Sequence, residues 1–146
     1  MTPEQIFSIV NLGAIVPWIL LAVLPGKRWV TGIITGLAVP MLFAFIYVGI
    51  VVTTFGRTPG GFSSLEAVGT LFSSPWALLA AWIHYLAFDL LTGTWEVRDA
   101  RERGMPHLLV VPCLILTFLF GPAGWLLYIV VRTVWLSQMR QSVSSS

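Results

Sequence analysis

Pro75-Trp76-Ala77-Leu78-Leu79-Ala80-Ala81-Trp82-Ile83-His84-Tyr85-Leu86-Ala87-Phe88-Asp89-Leu90-Leu91 is apolar enough to lie in a bilayer, yet it carries a histidine and an aspartate. Near the middle of a membrane an ionised aspartate costs about 2.5–3.5 kcal/mol on insertion scales. A chain that accepts such a cost uses the group, pairs it, or keeps it neutral. Which of the three holds for Asp89 decides the reading of the whole protein.

The rest of the chain is of the same character. Hydrophobic residues make up 57% of the 146 and charged residues 10%, with a mean hydropathy of +0.89. Soluble domains carry about 25% charged residues, so this chain lacks the polar surface that water requires. The composition predicts an all-α, polytopic transmembrane helical bundle, with one domain over 1–137 and a disordered polar tail over 138–146. The net charge of +2 does not point to nucleic acid, because the basic residues are few and spread among the loops. Cys113 stands alone, which excludes an intrachain disulfide. With no charged neighbour in sequence to activate its thiol, it reads as a packing residue. Met1-Thr2-Pro3-Glu4-Gln5 has no basic leader, and the apolar run after it is long and lacks a small-residue cleavage site. The first segment is therefore expected to stay in the mature protein, with no transit peptide ahead of it.

Ile6–Leu24 and Val30–Thr53 are each long enough to cross a hydrocarbon core of about 30 Å. Pro25-Gly26-Lys27-Arg28 separates them, and Pro40 is expected to bend the second. A third span runs from Trp76 to Thr92. After a charged loop, His107–Phe120 and Ala123–Leu136 follow, divided by Gly121-Pro122. They form either one kinked helix or two short crossings, giving four or five in all. With five, Lys27, Arg28, Arg98, Arg101, Arg103, Arg132 and Arg140 share the cytoplasmic side, so the positive-inside rule favours five, with the N-terminus outside. Between the second and third spans, from Phe55 to Ser74, Ser63-Ser64-Leu65-Glu66 has a capping-box pattern. Leu65, Val68 and Phe72 follow at helical spacing, predicting a short interfacial helix.

On the third span Trp82, Tyr85, Asp89 and Thr92 form one stripe, which Glu96 extends if the helix passes Gly93. His84 lies about 100° off that stripe, and Asp89 about 7.5 Å further along the axis. The two are not an i,i+4 pair, but they can face one cavity from different heights. The loop Gly93–Pro106 brings His107 to the same membrane face as Asp89. General acid–base chemistry needs groups of this kind in a dry pocket. Plainer roles compete. His84 can bond a neighbouring helix, Asp89 can form a structural ion pair with Arg132, His107 can start a helix, and the loop charges can form a solvated face. No H-x-x-x-H, E-x-x-H or C-x-x-C spacing specifies a metal. Asn11 reads as interhelical glue in the first span.

Several blocks together resemble the abscisic-acid-deficient-four family of small integral membrane proteins, whose plant members are linked to neoxanthin synthesis. They are Phe7-Ser8-Ile9-Val10-Asn11, Pro17-Trp18, the Trp76–Leu90 stretch with its W-x-H-x-x-x-x-D-L pattern, Arg98–His107, and Phe120-Gly121-Pro122-Ala123-Gly124. The likeness covers nearly the whole chain and is that of a bacterial-type member. It implies a multi-pass protein of the bacterial cytoplasmic (inner) membrane, surrounded by membrane lipids, with a carotenoid or other isoprenoid ligand. The implied reaction opens a 5,6-epoxide while a proton leaves the polyene, giving an allene and a tertiary alcohol, and needs no cofactor. Carried over by residue, Asp89 is the acid or electrostatic partner and His84 the base, with His107 a further catalytic candidate. Trp82, Tyr85, Phe88, Asn11 and Arg132 are expected to line the substrate site, Trp82 being the best pocket candidate. Two other readings stand beside this one. One is a non-enzymatic carotenoid- or lipid-binding accessory protein. The other is a small proton-relay or transport subunit, which in a chain without repeats requires a homo-oligomer.

Overall fold

The computed structural model describes residues 1–54 and 56–144. Phe55, at the expected start of the connection between the second and third spans, lies outside the described residues, as do Ser145 and Ser146 of the expected tail. Among the described residues all regular structure is helical: α1 (Pro3–Val23), α2 (Val30–Thr54), α3 (Leu65–Phe72), α4 (Pro75–Glu102), α5 (His107–Phe120) and α6 (Pro122–Ser144).

The ends of these helices follow from local chemistry. Thr2 accepts a hydrogen bond from the Gln5 backbone N–H at 3.3 Å, and the Gln5 side chain accepts from the Thr2 N–H at 2.9 Å. This reciprocal cap starts α1 at Pro3, ahead of the expected Ile6. Where Pro40 is expected to bend α2, the helix carries a widened turn ahead of it. Over Val30–Ala38 the helix is π-type, with the Val39 N–H reaching five residues back to the Ile34 carbonyl. The Pro40 ring crowds the preceding turn and offers no N–H, and an i→i+5 pattern relieves both effects. The interfacial helix α3 is present, capped by Ser64, whose hydroxyl accepts from the Ala67 N–H at 3.1 Å. The expected capping residue Ser63 lies one position too early.

The expected third span ends at Thr92, whereas α4 runs to Glu102. Its inward face is continuous through Gly93, Glu96, Val97 and Ala100, all buried. The expected loop is thus mostly helix, closed by a turn at Arg103–Pro106 in which Gly104 adopts a positive φ of 63°. The 28 residues of α4 reach about 42 Å at 1.5 Å each, longer than the roughly 30 Å hydrocarbon core. This helix is central and packs against every other one. One core cluster joins it to α1, α5 and α6 around Trp18, Leu90, Val97, Leu114 and Tyr128. A second joins it to α1 and α2 around Val10, Phe43, Leu79 and Ile83.

Among the described residues, α1, α2 and α4 are the three helices long and apolar enough to cross a membrane. Outside the cores, Ile9, Leu12, Val16, Ile19, Phe45, Val48 and Val52 remain exposed, an apolar surface far beyond what water tolerates. The chain is a membrane protein. The five expected crossings are not matched, because α5 has 14 residues, about 21 Å against the roughly 30 Å required. α5 and α6 form a hairpin beside the second half of α4. Its tip, Gly121, rests on Asp89, and Arg132 further down α6 meets Asp99. α6 then continues to Ser144, past the boundary expected at 137.

Two glycines set how closely the helices approach. A Cβ on Gly93 would stand 2.7 Å from the Trp18 ring, and one on Gly124 would collide with the backbone of Thr117. Gly93→Ala is expected to lower the thermal midpoint of the detergent-solubilised protein. Overpacking typically costs about 1–3 kcal/mol, more than the roughly 1 kcal/mol gained in helix propensity. Gly49→Ala, which meets nothing within 4 Å, should raise the midpoint or leave it unchanged. The same response from both variants would contradict this packing.

Candidate functional site

Three carboxylates share one side of α4 at positions 89, 96 and 99, and each has a different environment. Asp99 is the fully paired one. It accepts from Arg103 Nε at 2.9 and 3.0 Å and from the Tyr128 hydroxyl at 2.7 Å. Arg132 Nε lies 3.1 Å from its Oδ2, an ion contact outside hydrogen-bonding direction. This cluster ties the end of α4 to α6, and the Trp135 indole adds a 3.4 Å bond to the Arg103 carbonyl. Arg132 therefore pairs with Asp99, which corrects the expected pairing with Asp89. With Asp99 hydrogen-bonded to Arg103 and Tyr128 and ion-paired with Arg132, the network is structural.

Glu96 is completely buried. The Thr117 hydroxyl of α5 donates to its Oε1 at 2.9 Å, while Oε2 has no protein partner. Sequence reasoning assigns Glu96 no site role, because Thr92-Gly93-Thr94 looks like a helix boundary. The signal is its spacing: seven residues after Asp89 is two turns on, on the same face.

Asp89 is 9% exposed, and its carboxylate packs against the Cα of Gly121, where a Cβ would come within 2.7 Å of Oδ1. Gly121 also has a φ of +42°, so both its backbone conformation and its contact with Asp89 require glycine. Pro122 then opens α6, which places Asp89 at the electropositive start of that helix. Asp89 Oδ2 has no protein partner. The carboxylate forms part of the wall of a groove of about 520 Å³, with Phe88, Thr92, Trp95, Pro122 and Trp125 among the other lining residues. Thr92 Oγ1 is committed to the Phe88 carbonyl at 2.9 Å. Asp89 therefore brings to the groove wall a nearly buried carboxylate whose Oδ2 is enclosed and has no hydrogen-bond partner among the described residues, and a polar group so placed is costly unless something bonds to it.

The profile of the ABA4-like family, described as ABA DEFICIENT 4-like, matches residues 5–128. The chain belongs to this family. The resemblance read from the residue blocks is thereby confirmed, and no curated protein or solved structure matches the chain. The ABA4-like region includes Asp89, Glu96, Asp99, Thr117 and the Gly121 turn, and it ends at Tyr128, before Arg132.

The remaining candidates in this ABA4-like chain are dispersed. His84 lies about 140° around α4 from Asp89 at 100° per residue and lines a different cavity, with Tyr47 and the α3 segment. The structure does not bring His84 and Asp89 into one chamber. His107 Nε2 is 2.9 Å from the Ala22 carbonyl, one of the last carbonyls of α1, which the helix itself leaves unpaired. The Trp82 indole donates to Asn11 Oδ1 at 3.1 Å, and its ring packs against Phe7 and Tyr85. Trp82 and Asn11 thus link α1 to α4 and do not line the Asp89 groove. The Tyr85 hydroxyl sits near the Asp89 carboxylate, 3.4 Å from the Phe118 carbonyl. Of the expected lining residues, Phe88 alone is in the groove wall.

These assignments rank stability losses. Asp99→Ala strands two arginines and a tyrosine and should cost about 2–4 kcal/mol, since bonds to charged groups contribute roughly 1.5–3 kcal/mol each and are not additive. His107→Ala removes one bond, about 1 kcal/mol. Thermal or denaturant unfolding in detergent reads both, and an inverted order would contradict the roles of Asp99 and His107.

Proposed function

We propose that this chain binds an oxygenated carotenoid or a similar isoprenoid in the Asp89 groove and isomerises an epoxy end ring there by acid–base chemistry. The observation that carries this reading is a nearly buried carboxylate, Asp89, in the wall of a groove that Phe88, Trp95 and Trp125 also line, with one of its oxygens lacking a hydrogen-bond partner among the described residues. A groove of about 520 Å³ lies within the roughly 300–1,000 Å³ of small-molecule sites and suits an end ring while the polyene lies along lipid. Family membership adds the carotenoid connection.

The chemistry balances with one carboxyl group. Protonated Asp89 gives its proton to the epoxide oxygen as the carbon–oxygen bond breaks. The carboxylate so formed takes the carbon-bound proton that leaves as the allene forms. One O–H and one cumulated double bond replace one C–O and one C–H bond, with no net proton, electron or cofactor. His84, the base expected from the resemblance, opens onto the other cavity, so Asp89 carries both transfers. Burial beside Gly121 excludes water that would open the epoxide to a diol.

Expression in cells that make epoxidised, hydroxylated and plain carotenes, followed by chromatography, tests this. The reading expects conversion of the epoxidised pigment. Asp89→Asn should lower it at least 100-fold, a magnitude typical of losing general acid–base catalysis, while pigment still co-purifies. His84→Ala should convert pigment normally. Pigment binding without turnover in the unmodified chain would leave the accessory-protein reading in its place, and no binding at all would remove both.

The same reading carries a topology. α1, α2 and α4 cross the bacterial cytoplasmic membrane, and α5–α6 enters and leaves from the cytoplasmic side, with its tip at the depth of Asp89. Backbone at such depth is tolerated where protein covers it, and the basic residues keep the sidedness of the five-crossing arrangement. With Cys113→Ser as background, a cysteine introduced at Phe120 should resist a membrane-impermeant maleimide applied from outside. Ready labelling there would restore five crossings.

A further inference from the structure

The second cavity, about 640 Å³, lies on the other side of α4 from the Asp89 groove. Its floor on α4 is Ala77, Ala80, Ala81 and His84, at i, i+3, i+4 and i+7, so three small side chains make the room and the imidazole ends it. Tyr47 of α2 forms one wall. The roof is the segment before α3 together with α3 itself, held as one piece by the bond from the Gly61 N–H to the Ala67 carbonyl at 3.1 Å. Gly60 there, with φ of +95°, approaches the α3 backbone too closely for any side chain.

Two polar side chains line this cavity without a hydrogen-bond partner among the described residues, the exposed His84 and the half-buried Tyr47. Their rings lie 5.7 Å apart, and the far face of His84 packs on Phe88 at 4.5 Å. The hydroxyls of Thr54 and Thr58 already donate to backbone carbonyls at 2.7 and 3.3 Å. Apart from His84, no acidic or basic side chain among the described residues lines the space.

We infer that this cavity is a second ligand site, for an uncharged lipid alcohol whose hydroxyl meets His84 and Tyr47. A hydroxyl both donates and accepts, so it takes the Tyr47 proton and gives its own to an imidazole nitrogen, satisfying both groups at once. A hydrocarbon leaves both unsatisfied, and a ketone, which only accepts, leaves the unprotonated imidazole nitrogen without a donor. A phosphorylated or carboxylate head would be an unpaired charge in an apolar chamber, because no lysine or arginine is there to meet it. The site does not depend on the Asp89 reading.

The chain has two histidines, and the second, His107, is tied to the end of α1, which makes it an internal control. Full-length protein labelled with ¹⁵N-histidine in detergent micelles should show the His84 imidazole shifting on titration with farnesol while His107 stays fixed. Farnesyl diphosphate and the hydrocarbon farnesene should need at least about tenfold more ligand for the same shift. Tyr47→Phe should weaken the farnesol response about five- to tenfold, as expected for one hydrogen bond. Ala81→Leu should abolish the response by filling the floor, with the unchanged His107 signal reporting that the variant is folded. Asp89→Asn should leave it intact. A His84 signal that does not move, equal movement of both histidines, equal potency of the hydrocarbon, or a response that survives in Ala81→Leu would each overturn the site.

Discussion

The arrangement of the hairpin, and of the core it shares with α1 and α4, depends on the contact between the Asp89 carboxylate and the Gly121 backbone. Helices α5 and α6 can lie against α4 only if the turn between them brings no side chain to that point, and a Cβ at Gly121 would run into the carboxylate. The same contact fixes the depth of the hairpin. With its tip held at Asp89, Thr117 reaches Glu96 and Tyr128 reaches Asp99, so each of these two acids on this side of α4 meets a particular hairpin partner. What the tip does not supply is a donor for Asp89 Oδ2; Glu96 also has an unmet oxygen, but Asp89 is the one of the three acids that lines the groove.

Close approach by small residues recurs through the fold. Gly93 admits the Trp18 ring, Gly124 admits the Thr117 backbone, and the alanines of α4 leave the second cavity open. In a membrane there is little hydrophobic gain from bringing helices together, so packing and interhelical hydrogen bonds carry the association. The Trp82–Asn11 and Glu96–Thr117 bonds serve that purpose. Phe88 touches both spaces, lining the Asp89 groove while its ring packs against His84 of the second cavity.

Much of this is readable from residues alone. The apolar runs mark α1, α2 and the start of α4, Pro40 marks the widened turn in α2, and the residue blocks mark the family. Asp89 stands out because a carboxylate in such a stretch is costly wherever it goes. The boundaries are less legible: Thr92-Gly93-Thr94 has the composition of a helix end, and only the packing of Trp18 and Leu114 over Gly93 keeps α4 continuous. The short α5 reads as a crossing, because apolar composition alone does not register that 14 residues fall short of a full span.

The sequence by itself determined a membrane-embedded all-helical chain, its ABA4-like family and the suspicion that falls on Asp89, since these follow from transfer costs and local motifs. Tertiary structure alone decided that His84 and Asp89 serve different spaces, that Arg132 belongs to Asp99, and that His107 closes the end of α1. The reason is geometric. Spacing along one helix gives the angle between two side chains, but which neighbour stands at that angle depends on helices that arrive from elsewhere in the chain.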